Sequence, residues 1–314
     1  MIRNGKLTLL LVVAAALLST FSLLDPPQSS TFWNSLFDTG HGIVFACFAL
    51  VAFAFLRTFR PSHRTTTHLG AAFAVSVAAG LSIEVVQYFG PRDADAGDVV
   101  RNVLGTAGAL SVLAAFRPGW NRWRRAGALA LAFALLLGAS SPLVLLAAAY
   151  AQRDASFPRI CDFDSPWEKL LYTAAEASLT VESPPASWKR APGDRAARVT
   201  FHAGGFYPRL HLRDVYPDWT GYRALVFDVY SLMPDTTMIY IRVQDRHFNH
   251  DWRDRFMQGV AMGPGSGTVR IPLAAVVDGP RDRKLDLTAV DSIGLFVDHP
   301  EEPVSFHVDA FRLE

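Results

Sequence analysis

The feature that most constrains this chain is the place where its hydrophobicity changes period. Up to Tyr150 the apolar residues come in long runs, and after Gln152 they alternate with polar ones. Five early runs, at about 6–24, 41–59, 68–89, 98–116 and 126–150, approach or exceed the roughly 20 residues an α-helix needs to cross a bilayer. Alternation with period two fits half-buried β-strands instead. The fold class expected is therefore a membrane all-α part with five transmembrane helices, followed by an all-β jelly-roll sandwich. The expected boundaries are 1–150 for the helices, 151–157 for a linker and 158–314 for the sandwich.

Basic residues set the orientation of such a chain. Arg3 and Lys6 precede the first run, and no A-x-A cleavage site follows it, so it reads as an uncleaved anchor. The loop at 25–40 has no Lys or Arg. The next carries Arg57, Arg60 and Arg64; the one after it has Arg92 among acids. Arg117, Arg122, Arg124 and Arg125 precede the fifth run. The bias alternates, so the N-terminus is expected in the cytoplasm and the sandwich, after five crossings, outside. The expected location is a bacterial cytoplasmic (inner) membrane, multi-pass, with the C-terminal domain periplasmic or extracellular. The formal net charge of +1 gives no nucleic-acid signal. Of the two cysteines, Cys47 lies in an apolar run and Cys161 in the soluble half, which argues against a disulfide or a metal-ligand pair.

Within this oily half, the stretch LSIEVVQYFGPRDADAGDVVRNVLG (81–105) is unusually polar. Glu84 and Gln87 are three apart and share a helix face. Asp98, Asn102 and Gly105 are spaced by four and three and share another. Asp38 and His41 stand at the start of the second run. By the orientation above, all of them and Arg92 fall at one level, the outer interface. An ionisable group in a span is costly unless paired or hydrated, so Asp38, His41, Glu84, Gln87, Arg92, Asp98 and Asn102 form a candidate site. Plainer roles compete with this: Asp95, Asp98 or Asp38 as helix caps, Arg92 as a neutralising charge, Gln87 as an interhelical hydrogen bond. Gly105, Gly108 and Ala109 supply small residues for close helix approach.

The order Asp38/His41, then Glu84/Gln87/Arg92, then Asp98/Asn102/Gly105 resembles the VanZ-like membrane proteins over residues 5–116. Thr39 departs from the pattern, where many members carry Lys. The family is named for an accessory glycopeptide (teicoplanin) resistance protein. The resemblance implies a cell-envelope role and no defined reaction.

The later half is built of short alternating segments. ALVFDVYS sets Leu225, Phe227 and Val229 on one face. MIYIRVQD does so with Ile239, Ile241 and Val243, DSIGLFVD with Ile293, Leu295 and Val297, and VSFHVDAFRL with Val304, Phe306 and Val308. Turns such as MGPGSG and MPDT separate the strands. The opposite parity carries Tyr230, Tyr240, Arg242, Gln244, Phe296 and His307, and His247, His250 and Trp252 follow in a loop. Sugars need an aromatic face and planar polar groups, so these are candidate ligand-binding residues. Strand surfaces favour Tyr and Arg in any case.

ICDFDSP, DWTGYRALVFDVYS, DRFMQGVAM with GTVRIPL, LDLTAVDSIGLFVD and FHVDAFRLE resemble the galactose-binding-like jelly rolls. The nearest are family 11 carbohydrate-binding modules and the complex I intermediate-associated protein 30 domains, over about 158–314. This resemblance implies a structural calcium between the first and last strands, with Asp162, Asp164 and Asp309 as its candidate oxygens. No other cofactor is required.

Two readings of function follow. In the first, the sandwich binds or organises cell-envelope glycan, or a lipid-linked saccharide beside membrane lipid, without chemistry. In the second, a membrane enzyme acts on an envelope lipid or lipid-linked saccharide, with Glu84 or His41 as acid/base and Arg92 steadying a phosphate. Only Arg101 offers a second phosphate clamp. A proton-linked transporter fits less well, because the polar residues stay at one level. The sequence has no phosphate loop, Ser-His-Asp signature or paired-carboxylate glycosidase arrangement.

Overall fold

The computed structural model describes residues 2–23, 31–89 and 95–314. The chain divides into two compact units, Met1–Leu145 and Leu146–Glu314.

The first unit is helical: α1 (Ile2–Leu23), α2 (Thr31–Phe59), α3 (Thr65–Tyr88), α4 (Ala96–Ala115) and α5 (Arg122–Ala139), with the start of α6 (Ser141–Ser156). Among the described residues, three helices, α2, α3 and α4, are each long and apolar enough to cross a membrane. In α1 the stretch Asn4–Ser19 is a shorter apolar helix. The expected straight fifth span is instead α5 and α6, bent by 67° at Ser140. Pro142 explains the break: it has no N–H to donate, and its ring clashes with the carbonyl four residues back. The neighbouring Leu143 N–H donates to the Thr39 hydroxyl of α2 at 3.3 Å. Residues 151–156, expected as linker, are the last turns of α6.

Small residues hold the bundle together. A Cβ on Gly105 of α4 would stand 2.0 Å from the Gly42 carbonyl oxygen of α2. One on Gly108 would meet Leu136 of α5 at 2.8 Å. Helix α4 is thus pressed between α2 and α5, the close approach that small residues permit. Phe45 fills the space beside this contact and is fully buried. Outward side chains are apolar, with Val86 72% and Phe133 70% exposed. Asp95 caps α4 by accepting from the Gly97 N–H at 2.8 Å, as one of its plainer readings expected.

The second unit is a sandwich of two antiparallel sheets of jelly-roll type. Its strands are β1 (Arg159–Cys161), β2 (Tyr172–Ala175), β3 (Ala177–Glu182), β4 (Ala196–Phe201), β5 (Arg209–Arg213), β6 (Ala224–Ser231), β7 (Thr237–Asp245), β8 (Phe256–Met262), β9 (Gly265–Pro272), β10 (Val290–Phe296) and β11 (Val304–Leu313). A short helix, α7 (Leu273–Val277), follows β9. The six-stranded sheet runs β3-β4-β11-β6-β9, with β1 added on β11; the five-stranded sheet runs β2-β5-β10-β7-β8. The predicted apolar parity faces the core: Phe227, Val229, Ile241, Val243 and Ile293 have no exposed surface. Phe227 and Phe311 stack with centroids 4.7 Å apart. Truncating such a phenyl ring to Ala costs about 3–5 kcal/mol. Both cysteines are free.

Candidate functional site

Two places gather the candidate residues. The first is in the helical unit. Helix α2 begins at Thr31, ten residues before the predicted run, so Asp38 and His41 lie inside the helix and not at its mouth. His41, Glu84 and Asn102 are buried. The His41 Nε2 lies 3.2 Å from an Asp98 carboxylate oxygen, joining α2 to α4. The other Asp98 oxygen accepts from Arg101 at 2.6 Å. Arg101 also lies 3.1 Å from Asp95 and 3.8 Å from Asp38. The Glu84 carboxylate accepts the Asp95 backbone N–H at 3.2 Å, tying α3 to the start of α4. His41, Glu84 and Asp98 each bring a ligand atom to within 4.8 Å of the other two. A divalent cation could bridge atoms at that spacing, although Arg101 already neutralises one side of Asp98.

Most of the predicted cluster is therefore gathered, with two differences. Gln87 lines a groove of ≈ 340 Å³ with Leu18 and Ile83, between α1 and α3, and so lies apart from Glu84. Three residues rotate a helical position by about 60°, enough to change neighbour. Arg92 lies outside the described residues. Among the described residues, the cation beside the acids is Arg101. Asn102, one turn beyond Asp98, has both amide atoms buried without a hydrogen-bond partner among the described residues.

The second place is the outward face of the five-stranded sheet. Strand register fixes its rows. Gly294 of β10 sits between His211 of β5 and Arg242 of β7. In the next row Phe296 sits between Arg209 and Tyr240, and on the other side Ser292 sits between Arg213 and Gln244. Tyr240 stacks on Phe296 with centroids 5.2 Å apart, and Tyr207 meets Phe296 edge-on at 5.8 Å. Gly294 leaves room for Arg242: a Cβ there would be 3.2 Å from its Nε. Burial, with Arg242, Arg213 and Arg209 nearby, pushes His211 down to about 3, so it is neutral at physiological pH. Burial and then Arg255 and Arg209 bring Arg242 down to about 10.

Tyr240, Arg242, Gln244 and Phe296 therefore share a face, as predicted. Gln244 is largely buried and accepts from Ser292 at 3.4 Å. Tyr230 and His307 do not join them. They are paired neighbours on β6 and β11 of the other sheet. The 183–195 loop covers them: Trp188 packs on both rings and Ser187 bonds the Tyr230 hydroxyl at 2.5 Å. His307 is bonded to Glu182 at 3.0 Å. Parity separates core from non-core, but not one sheet's outer face from the other's. His247 and Trp252 stand in the β7–β8 loop; Trp252 is exposed, and His247 lies 3.6 Å from Asp286.

The three candidate calcium ligands each have a partner within the chain. Asp162 pairs with Arg159 at 2.5 Å, Asp164 accepts the Arg195 backbone N–H at 3.0 Å, and Asp309 pairs with Arg190. Arg190 also reaches Asp228 at 2.8 Å. Burial still raises Asp309 to about 6, against the pull of Arg190.

Arg209, His211, Arg213 and Gly294 were missed from the sequence. For the three β5 residues the signal was present as RLHLR, a five-residue alternation with two leucines inward.

No protein-family model matches the chain, so the VanZ-like resemblance has no such match behind it. No curated protein sequence matches it either. Solved structures do. A family 11 carbohydrate-binding module from Clostridium thermocellum, in complex with a β-1,3-1,4-mixed-linked tetrasaccharide, has TM-score 0.40 and 17% identity, over 49% of this chain and 93% of its own. A family 30 carbohydrate-binding module of a cellulosomal cellulase from the same organism has TM-score 0.37 and 13% identity, over 46% and 91%. An exo-β-agarase has TM-score 0.41 and 16% identity, over 50% of this chain but 24% of its own.

Proposed function

We propose that this chain is an integral membrane protein that displays a glycan-binding sandwich outside the cytoplasm. The observation that carries the reading is the outward face of the five-stranded sheet. There Tyr240 and Phe296 form an aromatic shelf one row from Arg242, Gly294 and His211. Pyranose rings bind by stacking their C–H face on an aromatic ring, while planar polar groups take their hydroxyls. Three apolar helices and the bent α5–α6 pair support the membrane assignment, and the alternation of basic loops supports an outside sandwich. A bacterial cytoplasmic membrane suits both, and the ordered polar residues of α2, α3 and α4 suit the cell-envelope role that the VanZ-like resemblance implies. The test is binding of the full chain, in a neutral detergent, to immobilised polysaccharides. Tyr240→Ala should lose binding with its thermal midpoint unchanged.

A second reading rests on a different observation, the convergence of His41, Glu84 and Asp98. It is a membrane enzyme acting on an envelope lipid or lipid-linked saccharide, with these groups as acid/base or as ligands of a divalent cation. Glu84→Gln should then abolish turnover of such a lipid in vesicles while insertion stays normal. A structural cluster would lose protein level instead.

A further inference from the structure

The geometry points to an anionic glycan as the ligand of the sandwich, one whose acidic groups are separated by neutral sugars. This rests on the glycan-binding reading above and names its substrate class.

The first support is an imbalance of charge. Along β2, β5, β10, β7 and β8, the positions that alternate with the core carry no Asp or Glu. They do carry Arg209, His211, Arg213 and Arg242, and Arg255 stands just ahead of β8. None of the four arginines pairs with a carboxylate among the described residues. The buried Nε atoms of Arg213, Arg242 and Arg255, and the Nε2 of His211, have no hydrogen-bond partner among them either. The Arg255 guanidinium lies over the Phe248 ring, 5.9 Å from its centroid.

The same sandwich treats its other part-buried arginines differently. Arg283 is held by Asp245 at 2.5 and 2.7 Å and by Asp254 at 2.5 Å. Arg190 is held by Asp228 and Asp309. Pairing is the rule where an arginine serves the fold, because an unmatched buried cation is costly. On the β5–β10–β7 face the cations stand beside each other instead, and burial first, then the neighbouring arginines, push Arg242 and His211 down. An incoming carboxylate, sulfate or phosphate relieves that repulsion and fills the empty donor positions.

The second support is the shape of the charge. Beyond Tyr240 the surface opens into a groove of ≈ 380 Å³ lined by Thr237, Met238, Tyr240, Asp298, Glu301 and Glu302. One end of the path is therefore basic, the aromatic shelf lies in the middle, and the far end is acidic. A strand with a charge at every unit, such as a nucleic acid, would be repelled at the acidic end. The net charge of +1 likewise gives the chain no general attraction for a polyanion. A glycan that alternates acidic and neutral sugars places its anion over Gly294 and a neutral ring on Tyr240.

The experiment uses the full chain in a neutral detergent, titrated with four probes. They are hyaluronan oligosaccharides (one carboxylate per disaccharide), mixed-linked β-glucan (neutral), oligo-dT and phosphatidylglycerol vesicles. Hyaluronan should bind at least tenfold more tightly than the neutral glucan and weaken as salt is raised. Arg242→Gln should remove that preference and leave the thermal midpoint equal or higher, since a repulsive charge is gone. Arg198→Gln, on the other sheet, should change nothing. If neutral glucan binds as tightly and Arg242→Gln is silent, the anionic inference is wrong and the glycan reading stands. If oligo-dT or the vesicles bind best, the ligand class is wrong. If no probe binds, both readings fall.

Discussion

The Arg242 side chain crosses Gly294, its Nε 3.2 Å from where a Cβ on that residue would stand. The pair shows how the sheet makes a bed for a long cationic side chain: the middle strand gives up its side chain in the row where the neighbouring strand lays one down. Gly294→Ala should cost little stability, because the flexible guanidinium arm can shift by a few tenths of an ångström. Gly294→Val should lift Arg242 off the sheet and weaken glycan binding about tenfold, roughly the 1.4 kcal/mol of one displaced polar contact. Binding isotherms of both variants, with melting curves, check this.

His211 makes the sandwich acid-sensitive. Its imidazole titrates near 6.5 when unfolded and near 3 when folded, chiefly through burial and then the surrounding arginines. Between those values the unfolded chain holds the extra proton, so this group's contribution is complete above about pH 6.5 and is lost as pH falls toward 3. Asp309, raised to about 6, and Glu168, raised to about 7, both chiefly by burial, act in the opposite direction over an overlapping range. His211→Gln should therefore make the sandwich relatively more stable at pH 4.5 than at pH 7.5, compared with the parent. Thermal midpoints across that range measure the difference.

The helix contact at Gly105 is a backbone contact, unlike the one at Gly294. A Cβ there meets the Gly42 carbonyl oxygen at 2.0 Å, so α2 and α4 must separate. Gly105→Ala should destabilise the bundle by about 1–3 kcal/mol or more, whereas Gly138→Ala, which meets Leu104 Cδ1 at 3.4 Å, should be tolerated. Melting in detergent separates the two.

How much of this was legible depended on which physical rule carried the signal. Period two fixed the core of the sandwich residue by residue: Phe227, Ile241, Ile293 and Phe306 all point inward. It could not assign strands to sheets, because pairing is set by topology across long sequence separations. Tyr230 and His307 were therefore grouped with Tyr240 and Phe296, although they lie on the opposite sheet. In the helical unit, apolar length marked α2, α3 and α4. It concealed the α5–α6 bend, since Ser140, Ser141 and Pro142 sit inside an otherwise apolar run. The polar residues at 31–40 hid the first turns of α2, which shifted Asp38 and His41 into the helix. The convergence of His41, Glu84 and Asp98 was readable, because each sits on the same level of its own helix.

The His41–Asp98 pair gives the helical unit its own test. One partner is buried and the other nearly so, with 2% and 13% of their side chains exposed. Breaking a buried pair can cost about 3–5 kcal/mol, and the loss is smaller here because Arg101 still faces Asp98 at 2.6 Å. Asp98→Asn and His41→Ala should each lower the melting temperature, and the double variant should lose less than the sum. Additive losses would mean the two groups do not act together.

Topology is checked in cells. A fusion at Glu314 should be active with alkaline phosphatase and dark with green fluorescent protein if the sandwich lies outside. The reverse pattern would put the sandwich in the cytoplasm, away from any envelope glycan.

The most direct measurement compares two tyrosines. Tyr240 lies on the outward face of the five-stranded sheet, and Tyr230 lies on the other sheet beneath Trp188. Hyaluronan-oligosaccharide isotherms for Tyr240→Ala and Tyr230→Ala, both in the full chain, decide which surface binds. The account predicts that Tyr240→Ala loses at least tenfold in affinity with an unchanged melting temperature, and that Tyr230→Ala keeps the parent affinity. Unchanged binding in Tyr240→Ala, or loss only in Tyr230→Ala, would contradict it.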